Sequence, residues 1–194
     1  EVAGKRVLDL CAAPGGKTAQ LVAAGATVTA IDRSRDRLVR LEQNLARLKL
    51  AAKYDVADAA VWEGAHDADF VLLDAPCSAT GTLRRHPDVA WLKDPRDIAK
   101  LSAAQDRLLD AALRLARPGG TVVYCVCSLQ PEEGRDRVEA ALQRHADVAR
   151  APIDASEVFG MGELLTPEGD LRTLPCHLAE KGGMDGFYAA RLVK

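Results

Sequence analysis

Three stretches of this 194-residue chain carry residue types and spacings that can do chemistry. In the first, Asp9-Leu-Cys-Ala-Ala-Pro-Gly-Gly-Lys-Thr18, two glycines stand where backbone must approach a ligand closely, just ahead of a segment of helical composition. The turn is neither GxGxxG nor a Walker loop, because Lys17-Thr18 follow Gly15-Gly16 without the four-residue spacing after a first glycine. Asp32, about 20 residues on at the end of the next apolar run, is placed to accept both hydroxyls of a ribose. Together these features point to an adenosine-containing cofactor, a dinucleotide or S-adenosylmethionine. In the second stretch, Asp74-Ala-Pro-Cys77, a carboxylate at the tip of a buried-type strand can hold a polar heterocycle by a ring N–H or an amino group. The third is Cys127-Ser128, where a thiol leaving the end of an apolar strand can act as a nucleophile. Cys125, two residues earlier, reads as a small core residue.

These groups need elements to position them. Val7–Leu10 reads as a strand ended by the glycine turn, and Thr18 is expected to cap a helix over 19–24. Thr27–Ile31 reads as a second strand closed by Asp32. After it, Leu38, Leu41, Leu45 and Leu48 recur at spacings of three and four, an amphipathic helix. Phe70–Leu73 is a third strand, Ile98–Ala116 a helix that Pro118-Gly119-Gly120 ends, and Thr121–Val126 a fourth strand. A helix over 132–145 and a last strand over 186–193 complete the pattern, with an irregular stretch at 151–183. Strands alternating with helices imply a mostly parallel sheet with helices on both faces, in which ligands sit outside the carboxyl ends of the strands. That rule puts Cys11–Lys17, Asp32, Asp74–Cys77 and Cys127-Ser128 along one rim. The interval 75–96 is too long and too rich in Pro, Gly and Arg for a mere connection, and reads as an active-site loop.

Composition narrows the classes. Hydrophobic residues make up 48% and charged residues 28%, ordinary values for a chain with a real core, so one compact domain is expected. No apolar run reaches the roughly 18 residues of a transmembrane helix and no signal peptide opens the chain, so the cytoplasm is the expected location. Five cysteines with no CxxC pair argue for free thiols rather than disulfides or zinc. The four histidines make no metal spacing, and Trp62 and Trp91 read as packing residues. The net charge of −2 conceals a separation of sign. Residues 33–53 carry seven basic groups against two acidic ones, residues 54–74 six acidic groups and no basic one, and residues 84–117 eight basic against five acidic. Arg84, Arg85 and the 33–53 segment with Arg37 can hold the phosphates of a polyanion, although on charge alone solvated helix faces are the favoured reading.

DLCAAPGGKT, LLDAPCSATGTLRRHPD, VVYCVCSLQPEE and MDGFYAARL resemble, in order and spacing, motifs of the RNA 5-methylcytosine methyltransferases of the RsmB/Sun/Fmu type. The resemblance runs over essentially the entire chain. It implies a Rossmann-like class I methyltransferase fold, S-adenosylmethionine as cofactor, and cytosine C5 of RNA as target, small-subunit (16S) ribosomal RNA above all. It implies that Cys11, Ala12, Ala13, Pro14, Gly15, Gly16, Lys17 and Asp32 bind the cofactor, that Asp58 approaches its adenine side, and that Asp74 lies between cofactor and base. It makes Cys127 the nucleophile and gives Cys77 a part in product release. Full-length members of this type carry a helical, NusB-like RNA-binding domain ahead of the region seen here, so the chain is expected to be a catalytic fragment. A monomer is expected, with no metal and no membrane partner. Val126 stands where the family usually has Thr, Gly134 where Asn is common, and Tyr188 where Phe is frequent.

Three rivals remain at this stage. A transfer-RNA methyltransferase of the same family would share every catalytic residue. A non-catalytic cofactor-binding subunit would be expected to lose Cys127 or Asp74, and both are present. A nucleotide-dependent oxidoreductase would need a GxGxxG-like turn, which CAAPGGK does not supply.

Overall fold

The fold comes from a computed structural model, which describes residues 1–92, 94 and 96–194. Lys93, one of the eight basic groups counted between 84 and 117, lies outside the described residues. The chain divides into two compact units: residues 1–74 with 107–123 and Lys194, and residues 75–106 with 124–193.

The first unit is built on parallel strands. β1 (Arg6–Leu10) lies between β2 (Thr27–Asp32) and β4 (Ala68–Asp74), with Leu8 opposite Thr29 on one side and Val71 on the other. β3 (Lys53–Val56) extends the sheet beyond β2, and β5 (Ala116–Val126) follows β4. Val7, Leu8 and Leu10 of β1 are buried, as a strand with neighbours on both sides requires. β3 was not expected from the sequence: all four of its residues, Lys-Tyr-Asp-Val, are exposed, so no apolar alternation marks it.

Helix α1 (Gly16–Ala23) follows β1 directly, and α2 (Arg35–Leu48) follows β2. Ser34 caps α2 by accepting from the Arg37 amide at 3.3 Å, and Lys49 ends it at a φ of 56°. Leu38, Leu41 and Leu45 are buried against Ala12, Ala19 and Ala30, each leucine contributing roughly 1.5–3 kcal/mol of apolar burial. Thr18 does not cap a helix. It sits inside α1, fully buried, and its hydroxyl donates to Asp9 at 2.6 Å. The glycine turn itself starts the helix, with Gly15 left-handed at φ 94°.

The long helix α4 (Asp97–Leu115) passes through both units and ends one residue earlier than its composition suggests. Strand β5 then begins at Ala116 rather than Thr121. Arg-Pro-Gly-Gly is drawn into extended structure by the last residue of the chain, whose carbonyl accepts from Gly119 at 2.6 Å while its amide donates to Gly120 at 3.1 Å.

The second unit contains the 3-10 turn Thr80–Thr82, the short helix α3 (Val89–Leu92), the amino-terminal half of α4, and α5 (Arg135–Arg144). Its strand β8 (Phe187–Val193) runs antiparallel to β6 (Ala149–Arg150) and to β7 (Leu171–Thr173), a short strand inside the stretch expected to be irregular. Two departures from the family motifs meet here. A Cβ on Gly134 would stand 3.1 Å from the Tyr188 ring, and the Tyr188 hydroxyl donates to the buried Asp170 at 2.5 Å. The missing side chain at 134 makes room for the ring at 188.

Candidate functional site

In the first unit, the carboxyl ends of β1 and β4 frame a cavity of about 230 Å3 lined by Asp9, Cys11, Ala12, Ala13, Pro14, Gly16, Lys17 and Asp74. It lies where the strand-end rule puts a ligand. The loop 11–17 is held by its neighbours in detail. The Ala12 amide donates to the Ile31 carbonyl at 3.1 Å and the Ala13 amide to Asp32 Oδ2 at 3.1 Å. Asn44 of α2 donates to the Pro14 carbonyl at 3.0 Å, and the Arg37 guanidinium donates to the Ala13 carbonyl. Gly15 has no room for a side chain, because its Cβ would sit 2.7 Å from Leu41 Cγ.

At the cavity wall, Lys17 Nζ stands 2.7 Å from Asp74 Oδ2, so a cation and a carboxylate face the same space. Asp9 is buried, and its Oδ1 finds no hydrogen-bond partner within the protein. Burial raises the Asp9 carboxyl to about 6, a rise that the nearby Asp74 and Asp32 charges reinforce while the Thr18 hydroxyl and Lys17 oppose it. Burial, with the Asp32 and Asp74 charges beside it, pushes the Cys11 thiol up to about 12, so Cys11 stays protonated and is no nucleophile.

Other expected ligand residues fall around this loop rather than in the cavity wall. Asp32 is buried, and its Oδ1 takes the Ser34 amide at 2.9 Å, so both oxygens already brace the chain. Asp58 is exposed just beyond β3, with Oδ1 accepting from the Ala60 amide at 3.0 Å. Arg37 reaches the loop and approaches Asp32 to 3.5 Å.

In the second unit, Cys77 and Cys127 meet with their sulfurs 3.5 Å apart. Cys127 lies just past the end of β5 and Cys77 in the loop that follows β4. The two strands end side by side, as the Ala75 amide donating to the Cys125 carbonyl at 2.9 Å shows. The hydrogen bond to Cys127, then burial, then the charge on Cys127 hold the Cys77 thiol far above the ordinary range. Cys125 is buried in the core, as expected.

Arg84 and Arg85 share one carboxylate. Asp185 accepts from Arg85 Nε at 2.7 Å and lies 3.6 Å from Arg84 Nη2. Trp91 is not a packing residue: it is 89% exposed on α3, beside Leu92, which is exposed as well. Trp62 is half-buried and donates to Asp55 at 3.2 Å.

No sequence signal marks Asp9 or Glu133 as parts of these sites. Asp9 sits in an apolar strand where a lone carboxylate reads as noise, and Glu133 follows Pro131 like any acidic residue of a first helical turn. Glu133 is fully buried and receives the side chains of Ser78 and Ser128.

A ribosomal RNA small subunit methyltransferase B from Erwinia tasmaniensis is 44% identical over 98% of this chain, which spans 42% of that protein's length. Among solved structures, NSun6 from Pyrococcus horikoshii with SFG matches 98% of the chain and 48% of its own, with 28% identity and a TM-score of 0.81. The magnesium protoporphyrin IX methyltransferase from Synechocystis with bound SAM, 16% identical over the whole chain and 72% of its own, shares the fold at a TM-score of 0.60. The fold is thus the mixed α/β, mostly parallel-sheet fold of class I methyltransferases that use S-adenosylmethionine. Residues 2–193 match the model of the 16S rRNA methyltransferase RsmB/F family, and the chain belongs to that family.

Proposed function

We propose that this protein methylates C5 of cytosine in RNA, small-subunit ribosomal RNA above all, through a transient bond between Cys127 and cytosine C6. The observation that carries the reading is the 3.5 Å pair of Cys77 and Cys127 in a member of this methyltransferase family. Methylation at a ribose hydroxyl or an exocyclic nitrogen uses a lone pair and needs no thiol. A pyrimidine C5 has no lone pair, and becomes a nucleophile only when another group adds at C6.

The cavity residues fit S-adenosylmethionine. Lys17 and Asp74 offer one charge of each sign to an amino-acid end, and Asp9 Oδ1 is a buried acceptor without a donor. Asp32 ends β2 and Asp58 follows the end of β3, where ribose and adenine are proposed to lie. When bound, the cofactor supplies an electrophilic sulfonium methyl.

The remaining chemistry belongs to this chain. The Cys127 thiolate adds to C6 and the ring electrons move to C5, which takes the methyl group. Asp74 accepts a hydrogen bond from the amino group and, carrying a proton, donates to N3, which stabilises the negative charge that develops on the ring. The C5 proton then departs to a base, the C5–C6 double bond reforms, and the C6–S bond breaks with its electron pair returning to Cys127. Cys77, 3.5 Å from Cys127, assists this release. A stacked base hides the face that the thiolate attacks, so the target cytosine is single-stranded or flipped out.

The test incubates the protein with methyl-labelled S-adenosylmethionine and unmodified small-subunit ribosomal RNA or transfer RNA, followed by nucleoside mass spectrometry. Label in 5-methylcytidine from the ribosomal RNA is expected. Label confined to transfer RNA would move the target class, and label in any other nucleoside would overturn the C5 reading.

A further inference from the structure

Cys77 and Cys127 are each followed by a serine, and one buried carboxylate holds both serines. Glu133 Oε2 accepts from the Ser78 hydroxyl at 2.5 Å and from the Ser128 hydroxyl at 2.6 Å. Its Oε1 accepts from the Ser78 amide at 2.9 Å and from Gln105 Nε2 at 3.2 Å. Gln105 in turn donates to the carbonyl of Pro76, the residue before Cys77, at 2.9 Å. The two hydroxyls lie 3.2 Å from each other, and Thr80 Oγ1 stands 3.2 Å from Ser128 Oγ. Glu133 and Gln105 are wholly buried, and Ser78 and Ser128 nearly so. The Glu133 backbone is anchored as well, its carbonyl accepting from the Tyr124 hydroxyl at 2.5 Å.

A buried carboxylate is costly to keep unless it is itself satisfied. A carboxylate removed from water needs several donors, and Glu133 has four. The loops that it ties carry the two sulfurs and are separated by about 50 residues of chain. Past its strand end the Cys127 loop is held by the Gly81 amide, which donates to the Cys127 carbonyl at 3.0 Å, and each thiol residue is held further through the serine that follows it, the two serines converging on one side chain.

We infer that Glu133 is a positioning residue: by gripping the serine after each thiol residue it fixes Cys77 and Cys127 within contact of each other. It touches neither the base nor the cofactor. The inference rests on the reading of Cys127 and Cys77 as the reacting thiols. Two consequences separate it from a purely structural role. The contact with Cys127 at 3.5 Å is the first cause that holds the Cys77 thiol up, so loosening Glu133 makes Cys77 more reactive relative to Cys127. The effect also falls on the thiol chemistry, while cofactor binding belongs to the first unit.

The full chain carrying Glu133→Gln tests this. The amide keeps the size of the side chain but replaces one acceptor oxygen by an NH2 group, which cannot accept from two hydroxyls. Initial alkylation by limiting iodoacetamide at about pH 8 is mapped by mass spectrometry, with the exposed Cys176 as internal reference. The Cys77 to Cys127 labelling ratio is expected to rise at least about threefold. In the same variant kcat for methyl transfer falls at least about tenfold, with cofactor affinity within about twofold of wild type. A folded variant with the wild-type labelling ratio and wild-type kcat would overturn the inference. Should Glu133→Gln fail to fold, Ser128→Ala, which removes one of the four donors, must shift the ratio in the same direction, and an unchanged ratio there counts against the inference equally. Alkylation requires no RNA, so a wild-type protein that made no 5-methylcytidine would refute the proposed function while the labelling ratio still decided the role of Glu133.

Discussion

Cys77 and Cys127, fifty positions apart in the chain, stand sulfur to sulfur at 3.5 Å, and that contact, with burial, holds the Cys77 thiol above its ordinary range. The roles proposed for the pair are asymmetric: Cys127 attacks carbon and Cys77 serves the release.

That asymmetry predicts opposite outcomes for the two alanine variants. Cys127→Ala is expected to abolish 5-methylcytidine formation while calorimetric affinity for S-adenosylmethionine stays at the wild-type value, since the cavity residues all belong to the first unit. Cys77→Ala is expected to form the covalent bond but release it slowly, leaving a protein–RNA adduct visible on a denaturing gel. Turnover near wild type in the first variant, or no adduct in the second, removes that thiol from its assigned part.

Asp9 predicts a pH dependence of stability. Its folded value of about 6 lies above the ordinary 3.8, so between these limits the folded protein holds a proton that the unfolded chain has lost. Stability should therefore fall as pH rises through the window from about 4 to about 6. The size is on the order of 3 kcal/mol for a group this buried. Lys17, Asp74, Asp32 and Thr18 face it, and only Lys17 and the Thr18 hydroxyl favour its charged form. Urea unfolding at the two ends of the window should show the loss in wild type and a smaller one in Asp9→Asn, in which the amide oxygen still accepts from Thr18. Equal slopes for the two proteins would assign the dependence to other groups.

Gly81 predicts a severe packing defect. A Cβ there would meet the Gly186 carbonyl oxygen at 1.9 Å and the Cys127 carbonyl oxygen at 2.9 Å, both backbone atoms. The same glycine donates to the Cys127 carbonyl at 3.0 Å and accepts from the Gly186 amide at 2.8 Å. Gly81→Ala should cost more than the roughly 1–3 kcal/mol of ordinary overpacking, because no side chain can yield. Thermal melting should show it as a large drop in Tm or as insoluble protein.

Much of the first unit was legible in the sequence. β1, β2 and α2 announce themselves through apolar runs and leucines at helical spacing, and the loop 11–17 through a glycine pair just ahead of a helix. What was hidden depends on tertiary contact. Lys-Tyr-Asp-Val is a strand only because β2 offers it a ladder, and Arg-Pro-Gly-Gly is extended only because Lys194 pairs with it. Thr18 has the composition of a cap, yet the buried Asp9 draws its hydroxyl inward. Trp91 has the composition of a core residue, yet α3 presents it outward. Cys127 could be singled out by its place at a strand tip. Its distance from Cys77 could not, because it is set by β4 and β5 ending together and by Glu133 behind them.

Asp185 gives the loop that carries Arg84 and Arg85 an unexpected bearing on ionic strength. Both guanidiniums already face a carboxylate, so phosphates that replaced it would free fewer condensed counterions than two open arginines would. For RNA held at this loop, affinity should decline less steeply with added salt than the arginine count suggests. Removing the carboxylate, as in Asp185→Asn, would strengthen the grip at low salt and make it more easily lost at high salt.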